Sequence, residues 1–459
     1  VPRVLILGLD GCGADFLARV FARGGMPFLA DRARAGAWGP VASTLPPVST
    51  AAWTTISTGV GPGTHGIVDF RRRDLPDYAF VAPGRLVSSG DVRAPRLWDR
   101  AGRAGLSSFI LNLPVTFPAT PLRGAMVTGV LTPPGSERGF WPPALATELK
   151  GYRYDLDEPI PGELPSLCGG LGDLEEERAQ VAAAAFGRDR YDLGFICFTG
   201  PDRLFHRYYR EVYAVDELPA AAAAYFRRLD ACCERVYEAF GPGDANLIVC
   251  ADHGFGPGAS RVFHVNRFLR RAGLLRAGGG GAYALNVVLG GVRRLLGGGA
   301  PLGIDWRRTR AYGFPLYERW GGVALNVAGE QPRGTVPAAD AAAAAEEVIA
   351  MLRREEACRW VRPREDVYAG SLLGTLPHVI FELAAGYTIS EGKGPGAVVA
   401  PFANPLKAGD HSLTAAGMAV GPGVGGWPAD AGVADVAATA AAWLGLPREG
   451  MEGRSWVTA

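Results

Sequence analysis

Three apolar runs in this chain lead to an aspartate. Val4-Leu5-Ile6-Leu7-Gly8-Leu9 ends at Asp10, the run over 193–198 precedes Asp202, and the run over 247–251 ends at Asp252. Continuous apolar runs of this length read as parallel strands buried on both faces. Around them the polar and apolar positions predict helices over 14–22, 50–57, 98–104, 175–186 and 220–240, with a further strand over 108–111. Such alternation predicts an α/β fold, a mostly parallel central sheet with helices on both faces.

The pattern then changes. Glycine is dense between Gly278 and Gly299, which predicts a loop or short helix. From about 305 to 395, strands are expected over 310–314, 322–327 and 379–383, and a helix over 338–354. A strand over 417–420 and a helix over 433–444 return to core-like material. The expected organisation is a catalytic core of residues 1–265 and 396–459, interrupted by an inserted cap region, 266–395, that contributes to the substrate site.

Open α/β sheets place their sites at the carboxyl ends of strands, so the three aspartates are expected along one sheet edge. Two of them bring histidines. Asp202-x-x-x-His206 puts both side chains on one helical face, and His253 follows Asp252 directly. His411 stands in a Gly-flanked loop, Gly409-Asp410-His411-Ser412. Taken singly, Asp202 with His206 reads as a surface pair and Asp10 as a turn residue. Taken together at strand ends they read as a metal site. Mixed Asp/His ligation suits zinc, with manganese or iron possible.

A second element is Pro46-Pro47-Val48-Ser49-Thr50-Ala51-Ala52-Trp53-Thr54. A hydroxyl residue before a short helix is an ordinary N-cap. The same place also favours a phosphate or a serine alkoxide, and a nearby metal would activate the hydroxyl. Spacing alone does not choose between Ser49 and Thr50.

The bulk properties narrow the partners. A formal net charge of +1 over 459 residues supplies no global field for a nucleic-acid polymer or an anionic membrane. Seven cysteines without a CxxC pair predict free thiols and no structural zinc through cysteine. No apolar run reaches the roughly 18 residues of a spanning helix, and no signal-peptide pattern precedes the first strand. A cytoplasmic protein is expected. Nothing in the chain indicates its oligomeric state.

These residues resemble the alkaline phosphatase superfamily, above all its type I phosphodiesterase/nucleotide pyrophosphatase branch. The matching strings are Gly8-Leu9-Asp10-Gly11, Pro46-Pro47-Val48-Ser49 with Ala52-Trp53-Thr54, and Thr58-Gly59. They continue with Pro62-Gly63-Thr64-His65-Gly66-Ile67, Asn112-Leu113-Pro114-Val115-Thr116, Pro201-Asp202-Arg203 with His206, and Asp252-His253-Gly254-Phe255-Gly256. Asn326 near Gly334, His411, Asp435 and Gly453-Arg454-Ser455 follow in family order. The resemblance implies two divalent metals, zinc or else manganese. Asp202, His206 and His411 would hold one, and Asp10, Asp252, His253 and the Ser49 oxygen the other. It implies Ser49 as the nucleophile that forms a phosphoserine on a small-molecule phosphate ester, a phosphodiester or a nucleotide pyrophosphate. A phosphomonoesterase, a phosphomutase and a non-catalytic phosphate-binding scaffold are the alternatives. His65, His264 and His378 match no ligand position.

The chain also departs from the branch. Phe70 stands about where nucleotide pyrophosphatases carry an asparagine that helps hold the phosphoryl oxygen. Arg71, Arg72 and Arg73 would supply positive charge instead, or form a solvated basic turn, and Asn112 is a further candidate for substrate contact. Sulfatase chemistry is not expected, because no Cys- or Ser-x-Pro-x-Arg string stands at Ser49 or Cys12.

Overall fold

The computed structural model describes residues 2–72, 78, 84–156, 162–278, 303–392 and 394–458. The Gly-rich stretch between Gly278 and Gly299 and Arg73 lie essentially outside these residues. Cα packing divides the chain into two units. The first takes Val1–Ile67, Ser88–Pro257 and Pro405–Ala459, and the second takes Val68–Val87 and Gly258–Asn404. The sequence reading set the second region at 266–395.

The first unit contains strands β1 (Arg3–Leu9), β2 (Ala37–Ala42), β3 (Ser108–Leu113), β4 (Gly124–Thr128), β5 (Phe140–Trp141), β6 (Leu193–Phe198), β7 (Ala245–Cys250) and β8 (Gly254–Pro257). In the second unit follow β9 (Arg261–His264), β10 (Ala311–Tyr317), β11 (Trp320–Leu325), β12 (Cys358–Pro363), β13 (Val379–Leu383), β14 (Tyr387–Ser390) and β15 (Val399–Pro401). The chain returns to the first unit as β16 (Gly409–Ser412) and β17 (Thr414–Val420).

The main sheet has the order β2-β17-β7-β1-β6-β3-β4-β5. Strands β7, β1, β6, β3 and β4 run parallel, while β17 and β5 are antiparallel to their neighbours. The three apolar runs are therefore adjacent. Every residue of β1 and β6 is buried, which explains why they lack polar alternation. Successive side chains on β1 serve opposite faces. A Cβ at Gly8 would lie 2.5 Å from the Trp53 ring of helix Ser49–Thr58. On the other face, Leu5 meets the neighbourhood of Phe186 and Phe240, from helices Leu164–Arg188 and Ala220–Phe240.

Two expected helices differ from what is found. The one read over 175–186 begins at Leu164. Gly169, Gly170 and Gly172 hid its first half, and at Gly172 the Arg228 guanidinium occupies the space where a Cβ would be. The one read over 338–354 is a 3-10 turn, Ala338–Asp340, followed by an α-helix, Ala341–Leu352. All seven cysteines are free. No described helix is long and apolar enough to cross a membrane.

The second unit holds a four-stranded sheet, β10-β11-β13-β12, and a three-stranded one, β14-β9-β15. Asn326 ties it together: its amide donates to the carbonyls of Trp306, Thr309 and Arg333, and its oxygen accepts from the Tyr78 hydroxyl.

Candidate metal centre and nucleophile

Parallel register brings the strand ends level. Leu9 pairs with Phe198 on β6, and Gly8 pairs with Cys250 on β7. Asp10 therefore leaves the sheet beside the turn that carries β6 into helix Gly200–Tyr208, whose face bears Asp202 and His206. Asp252 and His253 leave from β7. Gly11 has a φ of +78°, which turns the chain back so that its N–H donates to the Asp252 Oδ1 at 3.1 Å. His411 arrives on β16, which pairs with β8 and sets His411 opposite Phe255. Ser49 is the first residue of helix Ser49–Thr58.

These seven residues, far apart in the chain, meet in one place. The His253 Nε2 lies 3.5 Å from Asp10 Oδ1, 3.2 Å from Asp252 Oδ2 and 3.8 Å from Asp202 Oδ1. Asp202 Oδ1 is also 3.4 Å from His206 Nε2 and 3.2 Å from His411 Nε2. The two latter nitrogens are 2.9 Å apart. Ser49 Oγ lies 3.3 Å from the His253 Nε2. Asp10, Asp252 and His253 form one buried group with donor atoms all within 4.8 Å, and Asp202, His253 and His411 form another. The Asp202 and His206 side chains are 13% and 20% exposed, whereas those of Asp252 and His253 have no exposure, so the cluster opens on the Asp202 side.

The hydrogen bonds around the cluster decide what it can hold. The Nδ1 atoms of His206, His253 and His411 face the carbonyls of Gly409, Gly254 and Pro47 at 3.0, 3.2 and 2.7 Å. A carbonyl only accepts, so each Nδ1 carries a proton, and in the neutral ring the Nε2 presents a lone pair. Three lone pairs thus converge on carboxylate oxygens. Asp10 Oδ1, Asp202 Oδ1 and Asp252 Oδ2 are buried without a hydrogen bond of ordinary geometry. Acceptors facing acceptors in a dry site are costly, and divalent cations satisfy both. Backbone clamps on the distal imidazole nitrogen are the usual second layer of such sites. Two ligand atoms sharing a tetrahedral zinc at about 2.0–2.1 Å would stand about 3.3 Å apart, close to the spacings found. The residues fit metal ions.

Charge shifts agree. Burial pushes the Asp10 carboxyl well above its usual range, with Asp252 and Asp202 adding to it. Burial likewise pushes Asp252 up to about 7 against the Gly11 N–H. Burial would raise Asp202 too, but a proton on the facing imidazoles of His206, His411 and His253 outweighs it and holds that carboxyl low, a positive charge that a cation would supply in its place. Burial, then His411, holds the His253 ring neutral. Cations would ionise the two raised carboxylates. Phe255 closes one side, its ring centroid 4.9, 5.6 and 5.1 Å from those of His206, His253 and His411.

The remaining candidates each have their own surroundings. Thr50, the alternative hydroxyl, is fully buried with its Oγ1 unpartnered. Asn112 is fully buried, its amide donating to the Cys197 carbonyl. Arg71 and Arg72 belong to the second unit, where Arg71 donates to the Gly84 carbonyl. His65 is buried against Thr55 at 2.9 Å. Trp53 was quoted in the sequence only as part of a string. Its Nε1 donates to Asp10 Oδ2 at 2.9 Å, which orients that carboxylate. The three carbonyl clamps have no side-chain signature and were not legible.

Comparison with known proteins gives the family of the chain. The family model described as type I phosphodiesterase / nucleotide pyrophosphatase matches residues 4–413. No curated protein sequence matches the chain. Among solved structures, murine ectonucleotide pyrophosphatase/phosphodiesterase 5 is similar at 15% identity and a TM-score of 0.59, covering 98% of this chain and 97% of that one. Phosphonoacetate hydrolase from Sinorhizobium meliloti 1021, in complex with phosphonoformate, is similar at 16% identity and a TM-score of 0.60, covering 96% of each chain. An inactive form of the murine protein in complex with AMP is similar at 15% identity and a TM-score of 0.59, covering 100% of this chain and 98% of that one. The likeness to these structures is one of fold. The chain belongs to the type I phosphodiesterase/nucleotide pyrophosphatase family of the alkaline phosphatase superfamily, and it is a metal-dependent phosphoester hydrolase.

Proposed function

We propose that the chain cleaves a small-molecule phosphodiester or nucleotide pyrophosphate with two divalent ions and a phosphoserine intermediate on Ser49. Asp202, His206 and His411 hold one ion. Asp10, Asp252, His253 and the Ser49 oxygen hold the other. The observation that carries this reading is the convergence of three imidazole lone pairs and three unpartnered carboxylate oxygens next to one serine hydroxyl. The mixed oxygen and nitrogen set suits zinc, with manganese as the other candidate. Bound there, the ions would supply positive charge to the attacking, transferring and leaving oxygens.

The chain's own groups do the rest. Ser49 sits in the first turn of its helix, where N–H groups lack intrahelical partners and favour negative charge on its Oγ. That oxygen attacks phosphorus as the bond to the leaving group breaks, and water afterwards releases the phosphoryl group from Ser49. Phe255 and the burial of Asp252 and His253 keep bulk water from the inner side. AMP in the complex of the murine relative makes nucleotides the first substrates to try, and phosphonoformate in the bacterial one adds phosphonates. The segments outside the core, with Arg71 and Arg72, are proposed to take part in choosing among them.

The experiment is turnover of nucleotide diesters, sugar nucleotides, monoesters and phosphonates with zinc or manganese in water labelled with heavy oxygen, combined with acid quenching. Label in the released product and a phosphorylated Ser49 peptide support the reading. Isomerised product without label would make the chain a mutase, and the absence of any phosphorylated Ser49 peptide during turnover would remove Ser49 from the mechanism.

A further inference from the structure

The helix that carries Asp202 and His206 is gripped at its start by a buried ion pair. Glu175 and Arg178, one turn apart on helix Leu164–Arg188, have no side-chain exposure, and Arg178 Nη1 lies 2.6 Å from Glu175 Oε2. The other carboxylate oxygen, Oε1, accepts the Gly200 N–H at 2.6 Å. Gly200 is the first residue of helix Gly200–Tyr208. Arg178 also donates to the Tyr154 carbonyl. The fit is tight: a Cβ at Gly200 would lie 2.3 Å from the Tyr225 hydroxyl and 2.6 Å from Glu175 Oε1. At its other end the helix is held through His206, whose carbonyl accepts from Ala408 and whose Nδ1 donates to Gly409.

A buried ion pair contributes little net stability, because desolvation offsets the attraction. An anion at a helix N-terminus, by contrast, fixes both the first N–H and the helix dipole. We propose that Glu175 is a positioning residue whose carboxylate, aimed by Arg178, sets the place of Asp202 and thereby the affinity for the ion at Asp202, His206 and His411. This rests on the two-ion reading above.

The chemistry of the amide gives the test. A carboxylate accepts from Arg178 and Gly200 at once. The amide of Glu175→Gln has one acceptor oxygen, and the charged Arg178 competes for it. Removing Arg178 as well leaves that oxygen for Gly200. Metal-free protein is titrated with Co2+ alone, and the visible absorption and heat are followed with folding checked by circular dichroism. Wild-type protein that takes fewer than two ions overturns the two-ion reading itself. With two ions in the wild type, Glu175→Gln is expected to weaken one of them about 10-fold and leave the other. The double variant Glu175→Gln/Arg178→Met is expected to regain most of the loss, which a purely structural role would not produce. Wild-type affinity for both ions in Glu175→Gln overturns the inference, as does a double variant no better than the single one. If Glu175→Gln does not fold, the double variant decides: near-wild-type affinity supports the inference and weakened affinity overturns it.

Discussion

Trp53 Nε1 donates to the Asp10 Oδ2 across 2.9 Å, joining two buried residues from different elements. The bond occupies one carboxylate oxygen and leaves the other 3.5 Å from the His253 Nε2. Trp53→Phe keeps an aromatic ring and removes the donor. We expect a stability loss of about 1–3 kcal/mol from the unpaired oxygen and a drop in metal affinity of about 10-fold. Chelator competition on the folded variant checks the second effect, and unchanged affinity would mean that Trp53 only fills space.

The two adjacent hydroxyls, Ser49 and Thr50, should separate cleanly. Ser49→Ala is expected to keep fold and metal while turnover falls by about 1000-fold or more. Thr50 Oγ1 has no partner to lose, so Thr50→Val should retain activity within a factor of about 3. Steady-state rates on one substrate decide, and the reverse order would move the nucleophile to Thr50.

His65 gives a pH effect whose sign follows from its bonds. The Ile67 N–H donates to its Nδ1, so its proton sits on Nε2 and is given to Thr55 Oγ1. Burial, then the nearby Arg96, takes the ring down to about 3 from an ordinary 6.5. The unfolded ring binds a proton that the folded ring refuses. Its contribution to stability is therefore whole above about pH 6.5 and is lost as pH falls toward 3, at up to about 1.4 kcal/mol per pH unit. Urea unfolding of metal-free protein at pH 7 and pH 5 should show a smaller pH difference for His65→Gln than for wild type. Equal differences would contradict the buried neutral ring.

What the sequence revealed has a physical pattern. Strands β1, β6 and β7 were legible because burial on both faces makes them apolar without interruption from Val4, Leu193 and Leu247 onward. Asp10 and Asp252 stood out as candidate ligands because each follows such a strand directly, Asp202 and His206 because they lie on the helix after β6, and His411, on β16, only by its Gly-flanked setting. Edge strand β12, Cys-Arg-Trp-Val-Arg-Pro, was missed because Val361 alone is buried while Arg359 and Arg362 are exposed, so it looks like loop. The first half of helix Leu164–Arg188 was missed because Gly169, Gly170 and Gly172 are poor helix formers, and the packing of Arg228 on Gly172 is encoded in no local propensity. In the site, Asp, His and Ser announce themselves, while the clamps on the imidazoles are backbone carbonyls of Pro47, Gly254 and Gly409 and carry no letter in the sequence.

Asp10, Asp202, His206, Asp252, His253 and His411 are proposed to hold a pair of ions beside Ser49. Elemental analysis of gently purified protein, dialysed against trace zinc, tests it most directly. The account predicts about two divalent ions per chain in the wild type and about one in Asp252→Asn or His411→Ala. A wild-type protein that binds one ion or none, or variants that still bind two, would contradict it.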